Sequence, residues 1–277
     1  MEGGVDIILL AGGKCPKDLA ERVGVDAKAL IPLGGKLLYR YALDAVLEMP
    51  VEKRIIVYTG GEQAISRDAG SIGVRVLDEP GTIVDALFTA VRIFAEGSEE
   101  SSHEPDLLIV SSDIPFVTSR ILMDVLVGAR ELNADAVWPI TEKSFVEAKF
   151  PGSKRTYVKT MQGTFTGGNV FLLKRQVLLE KLKLIDQLFR ARKNPVRMAS
   201  IMGFGVVSQV ITGRISIPKM ESLVSKRLGV TIRALQTPHA EVAVDLDKLS
   251  DLIAMEKLIQ RTSVSASPTG NSAQPQT

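Results

Sequence analysis

The stretch "ILLAGGKCPKDLAERVGVDAKALIPLGG", residues 8–35, opens as a hydrophobic strand and breaks at Gly12-Gly13. It then carries Lys14, Lys17 and Lys28 before a second glycine pair at 34–35. Glycines directly after a buried strand let backbone N–H groups approach a ligand without a Cβ in the way, and consecutive amides cradle an anion. Lysines then neutralise it. Taken alone, the pair reads first as a tight turn beside solvated lysines. Two familiar phosphate motifs are absent: Gly12-Gly13 is followed by Lys-Cys and Gly34-Gly35 by Lys-Leu, which excludes G-x-x-x-x-G-K-[ST], and no G-x-G-x-x-G follows the first strand.

Outward from this loop, strand-like apolar runs at 5–10, 54–59, 74–78 and 106–113 alternate with helix-period segments near 36–48, 62–70, 82–95 and 118–132. Alternation of this kind predicts an α/β chain with a mostly parallel sheet covered by helices, because parallel neighbours need long crossovers. Ligands bind such sheets at the carboxyl ends of the strands. The second half is less regular, with strands expected at 134–140, 155–160, 168–173, 230–235 and 241–245, and helices near 174–192, 195–202, 218–228 and 248–261. No internal repeat is present. Residues 1–262 read as one domain with a helical insertion at about 174–228, and 263–277 as a disordered tail of Ser, Thr, Pro and Gln with little to bury. The stretch 97–105, "GSEESSHEP", reads as an exposed acidic loop.

Composition bounds the function. With 277 residues, 45% hydrophobic, 24% charged and a formal net charge of +2, the chain has ample core and too little positive charge for a general nucleic-acid binder. Small anionic ligands fit this balance. One cysteine, no signal-peptide pattern and no bilayer-length apolar run imply a reducing cytoplasm and no membrane span.

The strongest single residue is Asp113 in "SSDIPFVT", 111–118. It ends a buried strand, precedes a turn-forming proline, and offers the hard oxygen that suits Mg²⁺ on phosphate. Thr118 or Ser119 is better placed than Asp113 to cap the following helix. Cys15, His103 and His239 form no recognisable triad.

Together, "LLAGG", "KALIPLGGKLLYRYALDAV" and "SSDIP" resemble the opening signature of the MobA-like NTP transferases. The resemblance extends over nearly all of residues 5–261. It implies a three-layer, Rossmann-like nucleotidyltransferase fold with a mostly parallel mixed central sheet. It also implies a Leu10-Ala11-Gly12-Gly13 loop that wraps a nucleoside triphosphate, with Lys14 in the loop and Lys28 on the phosphates. This chain lengthens the loop and lacks the family's frequent arginine there, leaving Lys17 or Arg22 as substitutes. Asp113 matches the family's magnesium-binding aspartate in a D-x-P element. "GTFTGGNVFLL", 163–173, resembles the substrate-side strand, so that Thr166, Gly167, Gly168 and Asn169 would border the acceptor. "EVAVDLDKLSDL", 241–252, resembles the closing element and gives Asp245 or Asp247 as a second metal contact, with Lys248-Leu249 where Thr-Pro is usual. Asp247 also reads as a helix N-cap. In "DEPGTIVDAL", 78–87, Gly81 and Thr82 fit either a base-reading turn, as in related transferases, or an ordinary turn and cap.

The reaction implied is Mg²⁺-dependent attack of a small phosphorylated or hydroxylated acceptor on the α-phosphorus of an NTP, with pyrophosphate leaving. Arg155 and Lys159, on a strand before residue 163, are candidates for meeting an acidic acceptor, as is the basic run 189–200, which reads equally as a solvated surface. The apolar stretch 202–218 reads as core, a homodimer surface or an acceptor site. Two other classes share this plan: a GT-A-like glycosyltransferase, whose D-x-D would stand where Asp113-Ile114-Pro115 is, and a non-catalytic nucleotide-binding protein.

Overall fold

A computed structural model describes residues 4–79, 81–96, 106–181, 187, 208–209 and 212–265. The expected acidic loop 97–105, the basic run 189–200, the helix 195–202, most of 174–192, residues 202–207 and 210–211 of the apolar stretch 202–218, and all but the start of the tail lie outside these residues.

The first half alternates as its sequence predicts. Strands β1 (Val5–Leu10), β4 (Lys53–Tyr58), β5 (Arg75–Leu77) and β6 (Asp106–Ser111) are separated by helices α2 (Leu38–Leu47), α3 (Gln63–Ser71) and α4 (Ile83–Glu96). α5 (Ser119–Glu131) follows β6, with the Thr118 hydroxyl accepting from the Ile121 N–H at its start. Between β1 and α2 lie helix α1 (Lys17–Val23), a 3₁₀ turn (Lys28–Leu30) and a small hairpin of β2 (Pro32–Leu33) and β3 (Lys36–Leu37). β1 pairs in parallel with both β4 and β6, and β4 in parallel with β5. Ile7, Ile8 and Leu9 are wholly buried, as expected for a central strand covered on both faces.

The second half turns the sheet mixed. β10 (Val170–Leu173) runs antiparallel beside β6, and β7 (Ala136–Glu142) antiparallel beside β10. β9 (Gly163–Gly167) continues along β7, β8 (Val158–Thr160) flanks β9, and β11 (Ile232–Gln236) lies parallel to β7 on its other side. The main order is β5-β4-β1-β6-β10-β7-β9-β8. Helices α6 (Lys143–Lys149), α7 (Ile217–Leu228) and α8 (Leu249–Ser265) complete the described elements, with residues 175–181 also helical.

Three expectations change. Residues 241–245 are not a strand: Ala240–Ala243 form a 3₁₀ turn, with its apolar residues buried against the sheet. Arg155 is not on a strand but in the loop before β8. The last helix runs to Ser265, past the point where the tail was expected to start.

Candidate active site

The carboxyl ends of β1 and β6 lie side by side, with Leu10 level with Ser111. The chain leaving β1 is held tightly. The Ala11 N–H bonds the Tyr58 carbonyl at 2.8 Å, and a Cβ on Gly12 would stand 2.6 Å from the Tyr58 ring and 2.8 Å from the Gly60 nitrogen. Gly12 is therefore demanded by packing against a second backbone turn. A Cβ on Gly13 would meet nothing within 4 Å, so that position faces open space.

The loop then returns on itself. Lys14 bridges to Ala27, the Cys15 N–H bonds the Asp26 carbonyl at 2.7 Å, and the Lys28 N–H bonds the Gly13 carbonyl at 2.9 Å. This return carries Lys28 from fifteen residues away back beside the glycine pair. Lys14, Lys17 and Arg22 are exposed, whereas the Lys28 side chain is only 14% exposed.

The Lys28 ammonium meets two aspartates. It donates to Asp113 Oδ2 at 2.6 Å and to Asp247 Oδ1 at 2.5 Å. Burial works against its charge, but Asp113 and Asp247 outweigh burial and raise its pKa above the ordinary lysine value. Asp113 is oriented by the Ser111 hydroxyl, which donates to Oδ1 at 2.6 Å. The Asp113 carbonyl accepts from the Leu246 N–H at 3.0 Å, which fixes the 245–247 segment against the end of β6.

Asp245 faces the same cluster, about as buried as Asp113. Arg155 Nη1 pairs with its Oδ1, and Nη2 donates to its carbonyl at 2.6 Å. Burial first, and then the Asp113 charge, pushes the Asp245 carboxyl up to about 7, with Arg155 pulling the other way. For Asp247, burial works upward, but the Lys28 ammonium dominates and draws its pKa below the ordinary carboxylate value.

Asp247 is not the cap of α8 that its position suggests. Asp251 does that work, its Oδ2 accepting from the N–H groups of Asp247 at 3.1 Å and Lys248 at 3.2 Å. The Asp247 carboxylate is thereby left to Lys28. One ligand atom each from Asp113, Asp245 and Asp247 lies within 4.8 Å of the others. Three hard carboxylate oxygens this close are a fitting donor set for Mg²⁺ or a similar divalent ion.

Beside the cluster opens a cavity of about 460 Å³, lined among others by Lys154, Arg155, Thr166, Asn169, Asp245 and Lys248. Gly167 also lines it, and a Cβ there would strike the Trp138 ring at 2.1 Å. Gly168 instead packs under Val242 and donates to the Pro139 carbonyl at 2.8 Å. Lys159 lies apart, exposed on β8 with its stem against Gly213. Lys154 and Lys248 also line the cavity; in the sequence Lys248 stands out only as a departure from the usual Thr-Pro and Lys154 not at all, because nothing there distinguishes a surface lysine from one at a cavity mouth.

At 81–85, the Thr82 hydroxyl and Asp85 cap α4 reciprocally, at 2.6 Å between Thr82 Oγ1 and Asp85 Oδ2 and 3.2 Å from the Asp85 N–H to Thr82 Oγ1. The Gly81 carbonyl accepts from the Tyr58 hydroxyl at 2.8 Å. Of the two readings of this turn, the cap is the one with contacts. Cys15 has its thiol pKa raised by burial, which disfavours the nucleophilic thiolate, and His239 Nε2 lies 3.0 Å from Asp124 Oδ2.

A hypothetical transferase from Thermus thermophilus is similar at 33% identity, covering 90% of this chain and 99% of its own, with a TM-score of 0.75. The nucleotidyl transferase of Methanothermobacter thermautotrophicus matches at 16% identity and TM-score 0.53, covering 94% of this chain and 99% of its own. Molybdopterin-guanine dinucleotide biosynthesis protein A from Archaeoglobus fulgidus matches at 13% and 0.50, covering 93% and 100%, and these two likenesses speak for the fold alone. No curated protein matches the chain. The MobA-like NTP transferase domain matches residues 7–198, a span that holds the glycine loop, Lys28, Asp113 and the 163–173 segment; the chain belongs to that family of nucleotidyltransferases.

Proposed function

We propose that the chain transfers a nucleoside monophosphate from an NTP to a small acceptor in a Mg²⁺-dependent reaction that releases pyrophosphate. The observation that carries this reading is the Lys28 ammonium between Asp113 and Asp247 at the carboxyl edge of the sheet, at 2.6 and 2.5 Å. Asp113, Asp245 and Asp247 would hold the ion, which when bound offsets charge on the phosphates. The Leu10–Lys14 backbone receives the triphosphate, Lys28 donates to the reacting phosphate oxygens, and Gly81 and Thr82 border the base. An acceptor oxygen attacks the α-phosphorus, an O–P bond forms in line, and the bond from the α-phosphorus to the bridging oxygen breaks as pyrophosphate leaves. Catalysis is positioning and charge stabilisation, so no protein nucleophile is required.

Thr166, Gly167, Gly168 and Asn169 border the acceptor in this reading, with Arg155 acting through Asp245 rather than on the acceptor itself. Lys154 and Lys248, in the same cavity, favour a phosphorylated acceptor over a merely hydroxylated one. A phosphate brings its own charged nucleophilic oxygen and needs no general base. Lys159, turned toward Gly213, is the weakest member of the acceptor set.

The experiment is a screen of the four common NTPs against pooled phosphorylated and hydroxylated metabolites, with and without Mg²⁺, reading pyrophosphate. Release that needs both metal and acceptor supports the reading. Glycosyl transfer from a nucleotide-sugar, without pyrophosphate, would put the chain with the GT-A-like enzymes instead.

A further inference from the structure

We infer that Lys28 is the resident counter-cation of the aspartate cluster: in the nucleotide-free protein its ammonium occupies oxygens that a divalent ion needs, and an arriving triphosphate frees them by drawing the ammonium away. This rests on the reading above and adds an order to it. Free protein takes up little metal, and metal and nucleotide enter together.

Three carboxylates with oxygens within 4.8 Å of one another repel strongly unless something positive sits among them. Among the described residues, two cations pair with them. Arg155 is committed to Asp245 through both its side chain and its carbonyl, and is 7% exposed. Lys28 serves the other two carboxylates at once, through Asp113 Oδ2 and Asp247 Oδ1. An ion bound by Asp113 and Asp247 would compete for those two acids, and an ammonium at 2.5–2.6 Å from them repels any cation that comes near.

The two cations differ in what they can do next. Arg155 is a planar fork gripping one residue, whereas Lys28 is a point charge on a flexible stem. Its backbone is anchored at the phosphate loop itself, by the 2.9 Å bond from its N–H to the Gly13 carbonyl. Only the side chain has to turn for the ammonium to leave the aspartates for an anion in that loop. The salt bridge is thus a device that keeps the acidic cluster compact and closed to free metal until a stronger anion appears.

The test is Mn²⁺ binding to the full chain without nucleotide, followed by the electron paramagnetic resonance of free Mn²⁺ at low ionic strength. Lys28→Met keeps the stem and removes the charge, and should bind Mn²⁺ at least tenfold more tightly than the wild type. Adding Asp113→Asn to Lys28→Met should abolish the gain. Lys28→Gln serves as a second neutral variant should Lys28→Met not give folded protein, as judged by thermal unfolding. Neutral variants that bind Mn²⁺ no more tightly than wild type, including the case where none binds, overturn the inference. Failure of the nucleotidyltransferase reading shows separately, as absent pyrophosphate release, and leaves the Mn²⁺ comparison intact.

Discussion

Lys14, Lys17 and Lys28 belong to one loop, and the fold gives them different work. Lys14 and Lys17 are exposed and would act on a triphosphate through screened attraction, whereas Lys28 is largely buried and held at fixed distances from Asp113 and Asp247. Lys28→Ala should therefore cut turnover by roughly a hundredfold, the scale of losing one transition-state contact, with little dependence on salt. Lys14→Ala and Lys17→Ala should mainly raise the apparent nucleotide constant, by a factor that shrinks at high ionic strength. Steady-state kinetics of the three variants at two salt concentrations separates the cases; equal, salt-sensitive effects with intact turnover would remove Lys28 from the reacting centre. The glycine pair divides in the same way. Gly12→Ala drives a Cβ into the backbone of Gly60 and should cost about 1–3 kcal/mol in urea unfolding, whereas Gly13→Ala should stay within about 0.5 kcal/mol. Asp113 was legible in the sequence because a carboxylate at the end of a buried strand, followed by proline, has no packing role. The reason for Gly12 was not, since the turn it meets lies nearly fifty residues on. Nor was the partner of Arg155, because its spacing to Asp245 carries no signal until the sheet brings them together.

Among the elements, strands β1, β4, β5 and β6 could be read directly, because unbroken apolar runs bounded by turn residues have few other uses. Helices α1 and α6 could not. Each has seven residues, too few for a period of 3.6 to show, although α1 carries its punctuation in Pro16 ahead of it and Gly24 in the left-handed conformation at its end. The stretch 241–245 alternates like a strand, yet it is stitched to its neighbours by single bonds, such as the Asn169 N–H to the Val242 carbonyl at 2.7 Å, rather than by a ladder. The start of α8 is the element that most affects the site. Asp251 holds the backbone of Asp247 and Lys248, and Asp18 accepts from the Leu249 N–H at 3.1 Å. Asp251→Ala should lower stability by about 1–2 kcal/mol in thermal or urea unfolding, and should raise the metal concentration needed for half-maximal activity. An unchanged metal requirement would mean that Asp247 is positioned without its cap.

On the scale of the molecule, chemistry and anchorage sit at opposite ends of the same strands. The aspartate cluster lies past the carboxyl end of β6. Near the amino end of β1, buried Asp6 accepts from Arg54 at 2.7 and 3.0 Å and pairs with Arg175, tying β4 and the helical stretch after β10 to the central strand. Asp6→Ala leaves the nearly buried Arg175 without its carboxylate and should cost about 3 kcal/mol in urea unfolding. The nucleotide constant of the folded fraction should not change. The parallel half of the sheet followed from alternation alone, whereas the mixed half did not, because β9 and β10 follow one another along β7 around a bend at Gly168 that no periodicity reveals. What the whole arrangement is for is tested most directly by the transfer of label from α-³²P-NTP to a pooled acceptor in the presence of Mg²⁺, comparing wild type with Asp113→Asn at matched folding. The account predicts a new labelled product and equimolar pyrophosphate from the wild type, with transfer at least a hundredfold slower in the variant. Label recovered only in nucleoside diphosphate, or transfer undiminished by Asp113→Asn, would contradict it.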